Sequence, residues 1–257
     1  MWLTASIWFF GYVGVLACLL PGLARQRRLL AVAGTLAGLL LVTVAASVPA
    51  GSLLRDWILP PSVLLVAYWT TGLLFTAPMP RAERVLEGID RSLEVRRWAA
   101  RTPRWLAELL ELAYVGVYPV VMIGLALFLL FDGDPNPARF WTVVVVTDYI
   151  CFGLLPWVQT RPPRGLEPEP PWHAKLRRLN LHLVGSASIG VNTFPSGHAA
   201  EALVVALLLA GAPWPVSTVM LVVALAISAG AVLGRYHYFA DAAAGWVVAI
   251  GVWMVFR

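Results

Sequence analysis

Long uncharged segments dominate this chain of 257 residues and restrict what it can fold into. Hydrophobic residues make up 60% of the sequence and charged residues only 13%. A helix needs about 20 apolar residues to cross the hydrocarbon of a bilayer. Four runs without a charge reach that length, and they are longer than the core of a soluble domain requires. These runs are residues 1–24, 29–50, 57–80 and 112–131. The sequence therefore predicts a polytopic membrane protein.

The second half of the chain supplies four more predicted spans. Residues 140–159 are uncharged except for Asp148. The 33 uncharged residues 202–234 are interrupted by glycine and proline at 211–215, so they give two spans rather than one. Residues 242–256 form the last and shortest span. The prediction is an all-α polytopic membrane helix bundle with about eight transmembrane helices.

The expected organisation is a pair of N-terminal transmembrane helices in residues 1–56, followed by a six-helix core in residues 57–257. Cys18 and Cys151 both lie inside predicted spans, where we interpret them as packing residues rather than a disulfide. The first apolar run has no basic residue ahead of it, although a cleaved signal peptide normally carries one. We interpret this run as a retained membrane anchor.

The loops between the predicted spans differ sharply in charge. Sixteen of the nineteen Lys and Arg residues fall on one side, and the other side holds only Arg55, Arg139 and Arg257. The positive-inside rule predicts that the basic side is cytoplasmic. Two basic loops also carry apolar residues at helical spacing, which is typical of helices that lie in the membrane interface. Ordinary positive-inside loops are the alternative. The apolar residues are Trp172, Leu176, Leu179 and Leu183 in one loop, and Val85, Ile89 and Leu93 in the other.

Two short polar motifs stand on the basic side, at the ends of apolar segments. The first is Pro-Ser-Gly-His at residues 195–198, and the second places Asp241 four residues after His237. Phosphoryl transfer needs a nucleophile, a proton for the leaving oxygen and positive charge around phosphorus. His237 can attack phosphorus if Asp241 holds its ring in the right tautomer. His198 can supply the proton as a general acid.

Residues around these histidines are candidates for binding the phosphate. Ser196 can cap the following helix, and Gly197 lets the backbone N–H groups approach an anion. Arg161 and Arg164 follow the fifth predicted span, and Arg235 stands two residues before His237. Guanidinium groups suit this role because paired N–H donors match phosphate oxygens. Loop arginines that simply anchor at lipid headgroups are the alternative interpretation.

The motifs resemble the signature of the type 2 phosphatidic acid phosphatase superfamily. That signature consists of Lys-x6-Arg-Pro, Pro-Ser-Gly-His and Ser-Arg-x5-His-x3-Asp. The second part is identical here, and the third matches at His237 and Asp241. The resemblance implies a six-helix core with the motifs on one membrane face. It also implies that His237 is the nucleophile, Asp241 its partner and His198 the acid, with no metal or other cofactor.

Two positions depart from that signature. Leu154 stands where the first part has lysine, and Ala231 stands where the third part has arginine. On a continuous helix, Arg235 would lie one turn beyond Ala231 and reach a similar point. Arg161 and Arg164 would replace the missing lysine. The Pro-Pro-Arg run and residues 235–238 look more like the inositol phosphorylceramide synthase branch, whose members transfer a phosphorylated headgroup between lipids.

The expected function is that of a metal-independent phosphatase or phosphotransferase that acts on a lipid phosphate through a phosphohistidine intermediate. Lipid-headgroup transfer is the alternative within enzymes, and a non-catalytic lipid binder or transporter is the alternative outside them. The expected partners are the lipid phosphate and the bilayer, in the cell membrane with the site on the cytoplasmic side. Nucleic acid is not an expected partner, and the sequence specifies no oligomeric state.

Two acidic residues, one inside a predicted span and one at the edge of a span, have no assigned role. Asp148 either faces the site or pairs inside the bundle, and an intramembrane carboxylate is by default a functional hypothesis. Glu201 follows His198 by three residues and is a candidate to steer that ring. Tyr114 and Tyr118 are interpreted as packing or interfacial residues.

Overall fold

The structure, a computed structural model, describes residues 1–167 and 169–256, which contain twelve α-helices, a π-helix at Leu54–Ile58 and a 3₁₀ turn at Pro163–Gly165. Within these residues no strand is present, and Thr160 and Asn192 form an isolated antiparallel bridge. The all-α prediction is confirmed, while Arg257 lies outside the described residues. The helices are α1 Trp2–Leu19, α2 Arg25–Ser47, α3 Leu59–Gly72, α4 Pro80–Ser92, α5 Val95–Arg101, α6 Arg104–Val115, α7 Val117–Phe131, α8 Pro137–Gly153, α9 Lys175–Ala187, α10 Gly197–Leu208, α11 Trp214–Leu233 and α12 Phe239–Phe256.

Each of the eight predicted spans contains one helix. These helices are α1, α2, α3, α7, α8, α10, α11 and α12. Among the described helices, four are long and apolar enough to cross a bilayer alone: α1, α2, α11 and α12. A fifth crossing results if α6 and α7, which meet at a bend of 64°, count as one span. The count of eight crossings is not confirmed and stays a prediction.

The starts of α8 and α10 follow from their capping residues. Asn136 accepts hydrogen bonds from the N–H groups of Ala138 and Arg139 at 3.0 and 3.4 Å, and proline occupies the first position of α8. Ser196 accepts from the N–H of Ala199 at 3.4 Å and caps α10. Both residue types satisfy N–H groups that a helix otherwise leaves unpaired. Ser196 thus fixes the point at which the Pro-Ser-Gly-His motif becomes helix.

Helix α10 lies at the centre of the core and packs against α7, α8, α11 and α12. Small residues permit this close packing. A Cβ on Gly245 of α12 would lie 2.5 Å from the backbone oxygen of Ser196, and a Cβ on Gly124 of α7 would lie 2.2 Å from Val205. The glycine at 245 therefore lets α12 approach the first turn of α10, where the first motif stands.

The two N-terminal helices pack on different helices of the core, α1 mainly on α8 and α2 on α3. The hydroxyls of Ser6 and Tyr149 are 2.7 Å apart, and the Tyr12 hydroxyl donates to the backbone oxygen of Gly153 at 2.7 Å. The rings of Phe9 and Tyr149 stack with their centroids 4.0 Å apart. The division into residues 1–56 and 57–257 stays a prediction. Helix α8 belongs to the predicted core and packs against α1.

Four helices, α4, α5, α6 and α9, carry most of the charged residues that lie in α-helices, and they connect the apolar helices. The helical patterns in the two basic loops are confirmed as α9, which begins at Lys175, and α4, which begins at Pro80. Trp172 precedes α9 and is buried beside α6. These helices lie near both polar motifs, because α12 packs against α4 and α11 packs against α5 and α6. Their location in the membrane interface stays a prediction.

We predict that Gly245→Ala destabilises the protein, because its methyl group would overlap the Ser196 backbone. Overpacking of this kind costs about 1–3 kcal/mol, so the melting temperature in detergent should fall. Gly251→Ala on the same helix is the matched control, since no atom lies within 4 Å of its Cβ position. Equal melting temperatures for the two variants would contradict the close approach of α12 and α10.

Candidate active site

The structure brings the two polar motifs together through Asp241. The backbone oxygen of Asp241 accepts a hydrogen bond from the N–H of Ser196 at 2.9 Å. The ring centroids of His198 and His237 are 6.0 Å apart, and the ring planes are inclined by 77°. A group of the size of phosphate can therefore contact both imidazoles at once.

His237 is held by its backbone and by the carboxylate of Asp241. Its N–H donates to the backbone oxygen of Ala231 at 2.9 Å. Its Nδ1 lies 3.4 Å from Oδ2 of Asp241. This distance is within the range of an ion pair but longer than an ordinary hydrogen bond. Helix α12 begins only at Phe239, so His237 precedes the helix that carries Asp241. The same Oδ2 accepts from the N–H of Tyr238 at 2.9 Å, which fixes the carboxylate beside the ring.

His198 lies in the first turn of α10 among aromatic rings. Its ring centroid is 5.7 Å from that of Tyr114 and 6.3 Å from that of Tyr118, both edge-on. The interpretation of these tyrosines as packing residues is thus incomplete, because they also form a wall beside His198. No spacing in the sequence relates α6 and α7 to α10, so only the tertiary fold reveals this contact.

The two imidazoles line a small cavity of about 30 Å³, here called the histidine cavity. It is enclosed by Tyr68, Tyr114, Phe152, Arg164, Val184, Ser188, Val191, Thr193, Gly197, His198, Tyr236 and His237. Arg164 is the arginine among these residues. Its NH1 donates to the backbone oxygen of Tyr236 at 3.2 Å, and its guanidinium carbon lies 5.4 Å from the centre of the Tyr236 ring. Burial lowers the pKa of Arg164. The histidine cavity thus combines two imidazoles with one guanidinium.

Arg235 points away from the histidine cavity. Helix α11 ends at Leu233, and Arg235 has a left-handed backbone with φ of 62°, so the extrapolation along a continuous helix from Ala231 is wrong. Its guanidinium is buried between two carboxylates: NH1 lies 2.5 Å from Oδ2 of Asp90, and Nε and NH2 lie 2.9 and 2.6 Å from Oε1 of Glu167. Burial raises the pKa of Asp90, although Arg235 stabilises its charge. This arginine anchors the loop before His237 to α4.

Arg161 is also engaged by a carboxylate outside the histidine cavity. Its Nε and NH2 donate to the two oxygens of Glu83 at 2.9 and 2.8 Å, and its backbone N–H donates to Oε1 at 2.9 Å. These hydrogen bonds lower the pKa of Glu83. The side chain is half-exposed. Its role in phosphate binding stays a prediction, and the contact seen here ties the loop after α8 to α4.

A buried cluster that the sequence did not predict lies beside the histidine cavity. Oε1 of Glu111 accepts from Trp172 at 2.7 Å and from Arg177 at 3.0 Å, and Oε2 accepts from the Tyr236 hydroxyl at 2.8 Å. The guanidinium carbon of Arg177 lies 5.3 Å from the centre of the Tyr236 ring. Asn180 also donates to Glu111. The cluster holds α9 against α6 and fixes the residue that precedes His237.

The two positions that lack a signature cation have different surroundings. Ala231 is fully buried and packs against Tyr114, Val184 and Tyr236, which leaves no room for a long side chain. Leu154 is 38% exposed on the outside of the bundle. Among the described residues, the arginine in the wall of the histidine cavity comes from the segment between α8 and α9, as Arg164.

We predict that Arg235→Gln costs stability, because it leaves Asp90 and Glu167 without their buried partner. Removing one member of such an ion pair costs about 3–5 kcal/mol, and the melting temperature in detergent reports the loss. Asp90→Asn combined with Arg235→Gln should recover part of it. Arg164→Gln is the matched control, since no carboxylate in the described residues pairs with Arg164. Wild-type stability of Arg235→Gln would contradict the anchoring role.

Comparison with known proteins agrees with this geometry. A family model described as the PAP2 superfamily matches residues 79–255, which is more than half of the chain and includes both polar motifs. No curated protein and no solved structure matches the chain. Because the match covers more than half of the chain, the chain belongs to the PAP2 superfamily.

Proposed function

We propose that this protein is a membrane-embedded, metal-independent phosphatase or phosphotransferase that acts on a lipid phosphate through a phosphohistidine intermediate. The observation that carries the proposal is the pair of imidazoles in one buried cavity, with Asp241 at His237 and Arg164 in the wall. The family supports phosphatase-type chemistry. The apolar helices favour a substrate that reaches the site from the bilayer.

The first step transfers the phosphoryl group to His237. Because Nδ1 faces Asp241, Nε2 carries the lone pair that attacks phosphorus, and a P–N bond forms as the P–O bond to the lipid breaks. The Asp241 carboxylate stabilises the positive charge that develops on the ring. His198 donates its proton to the leaving oxygen, which departs as an alcohol. Charge and protons balance, since His198 becomes neutral as the alcohol forms.

The second step releases the phosphoryl group and restores both histidines. Water or another alcohol attacks phosphorus, His198 accepts its proton, and the P–N bond breaks. The product is inorganic phosphate when water attacks and a new phosphate ester when an alcohol attacks. Hydrolysis and transfer therefore share every residue of the histidine pair and differ only in the acceptor.

Positive charge and backbone donors would stabilise the phosphoryl oxygens. Arg164 faces the histidine cavity, and the first turn of α10 offers N–H groups at the positive end of its dipole. Gly197 belongs to this turn, where a Cβ would lie 3.0 Å from the ring of Phe152. Ser196 is fully buried and caps α10, so it supports the turn while its own contact to phosphate stays a prediction.

Headgroup transfer is the second candidate function. The cavity wall carries Arg164, while Arg161 and Arg235 are engaged by carboxylates. The donor in headgroup transfer is a phosphate diester, which carries less negative charge than a monoester and needs fewer cations. Product analysis separates the two functions: hydrolysis releases inorganic phosphate, and transfer yields a new phospholipid when an alcohol is supplied.

We further propose that the site lies on the cytoplasmic side of the membrane, because most of the basic residues fall in the loops on that side.

We predict that His237→Ala abolishes turnover of lipid phosphates in detergent micelles, because the nucleophile is absent. His198→Ala should lower kcat by about 10²–10⁴-fold, the contribution typical of a general acid. Asp241→Asn should lower kcat because the amide cannot stabilise the charged ring. Phosphate release and headgroup exchange are measured together.

His182→Ala is the matched control for these variants, since His182 lies exposed on α9. It should keep wild-type turnover. Unchanged turnover in both His237→Ala and His198→Ala would overturn the proposal and favour a lipid binder or transporter.

A further inference from the structure

A second, larger cavity adjoins the histidine cavity. Its volume is about 340 Å³, and it lies between α3, α7, α8 and α10; we call it the apolar cavity. Aliphatic and aromatic side chains form most of its wall, among them Leu64, Leu65, Val121 and Met122. The two cavities share five lining residues: Tyr68, Phe152, Ser188, Gly197 and His198. His198 therefore faces both the phosphate position and an apolar space inside the bundle.

Two carboxyl groups interrupt the apolar wall. Asp148 of α8 and Glu201 of α10 both line the cavity, and the two side chains lie close enough to interact electrostatically. Asp148 is 2% exposed, and its Oδ1 lies 3.9 Å from the Cβ position of Gly197. Two neighbouring carboxyl groups in a buried apolar wall cannot both be ionised, so the pair holds a proton. No lysine or arginine lines this cavity among the described residues. The carboxyl oxygens of Asp148 and Glu201 can thus accept hydrogen bonds, and no cationic side chain in the cavity wall pairs with them.

The rim of the apolar cavity faces the outside of the bundle. Leu65 on α3 is 50% exposed and Tyr118 on α7 is 45% exposed, and both line the cavity. Both helices coincide with predicted membrane spans, so the opening between them faces the lipid. An apolar space that is continuous with the phosphate site and opens laterally suits the chain of a lipid better than a water-soluble ligand.

We propose that the apolar cavity binds the chain-bearing end of the lipid, and that Asp148 and Glu201 accept a hydrogen bond from a hydroxyl or amide N–H of that lipid. This inference rests on the proposed function and names its substrate class: a lipid phosphate, or lipid alcohol acceptor, with a neutral donor close to the reacting oxygen. Acceptor oxygens buried in an apolar wall are costly unless a donor meets them. The lipid would supply that donor.

The helix geometry of α10 sets where the donor must be. Glu201 follows His198 by three residues, which is about 4.5 Å along the helix axis. The donor therefore lies about one helical turn deeper in the membrane than the oxygen that His198 protonates. An extended chain covers that separation in about three to four covalent bonds, as between an ester oxygen and a hydroxyl on the second or third carbon of the chain. A longer separation would carry the donor past the pair into the aliphatic wall.

The test compares two probes that differ only in this donor: 2-hydroxyoctadecyl phosphate and octadecyl phosphate in detergent micelles. We expect the wild-type protein to prefer the hydroxylated probe by about 10-fold or more in kcat/KM, because a site built for a hydroxyl rejects the analogue that lacks it. In the double variant Asp148→Asn with Glu201→Gln, the ratio should fall towards one.

Thr147→Val is the matched control, because this neighbour of Asp148 is buried and donates to the Val143 backbone oxygen without lining the cavity. It should keep the wild-type ratio. A wild-type ratio near one, or an unchanged ratio in the double variant, would overturn the inference while the proposed function stands. If the carboxyl pair has only a structural role, the double variant should be less stable than the wild type and should keep the wild-type ratio of kcat/KM for the two probes.

Binding separates this inference from the proposed reaction. If neither probe is turned over, the proposed function fails, and the shift in melting temperature of His237→Ala with each probe still tests the cavity. The inference is supported if 2-hydroxyoctadecyl phosphate raises the melting temperature of His237→Ala more than octadecyl phosphate does. This difference should disappear when Asp148→Asn and Glu201→Gln are added to His237→Ala. Equal shifts for the two probes would contradict it.

Discussion

The contact between Asp241 and the first motif is the interaction on which the rest of the site depends. One residue joins both motifs: its backbone oxygen accepts from Ser196, and its carboxylate lies beside His237 and accepts from Tyr238. The close packing of α12 against the start of α10, which Gly245 permits, makes this contact possible. Without it, His198 and His237 would stand at the ends of separate helices and would share no cavity.

Carboxylates of the charged helices organise the loops around this contact. Glu83 and Asp90 of α4 engage Arg161 and Arg235, while Glu111 of α6 engages Arg177. In each pair, the arginine belongs to a segment near the histidines, and the carboxylate belongs to α4 or α6. The ion pair therefore holds that segment against the helix. The arginines of these loops therefore have a structural use, in addition to the role in membrane orientation that the sequence predicts. Arg164, which pairs with no carboxylate in the described residues, is the one that faces the histidine cavity.

Local signals predicted the helices and the histidines, whereas the positions of the cations required the tertiary fold. Uncharged runs and the two motifs are contiguous in sequence, so their helices and order follow from pattern alone. Arg161 and Arg235 were predicted to bind phosphate, but their partners Glu83 and Asp90 lie 78 and 145 residues away. The end of α11 at Leu233 also turns Arg235 away from the helical path assumed for it. No local pattern encodes such pairs.

The stereochemical course at phosphorus tests the central claim most directly. A thiophosphate lipid made chiral with oxygen isotopes is offered to the purified protein, with labelled water or an alcohol as acceptor, and the configuration of the product is determined. Transfer by way of His237 consists of two in-line displacements, each of which inverts phosphorus. The account predicts overall retention of configuration. Inversion would show a single direct displacement and would contradict a phosphohistidine intermediate.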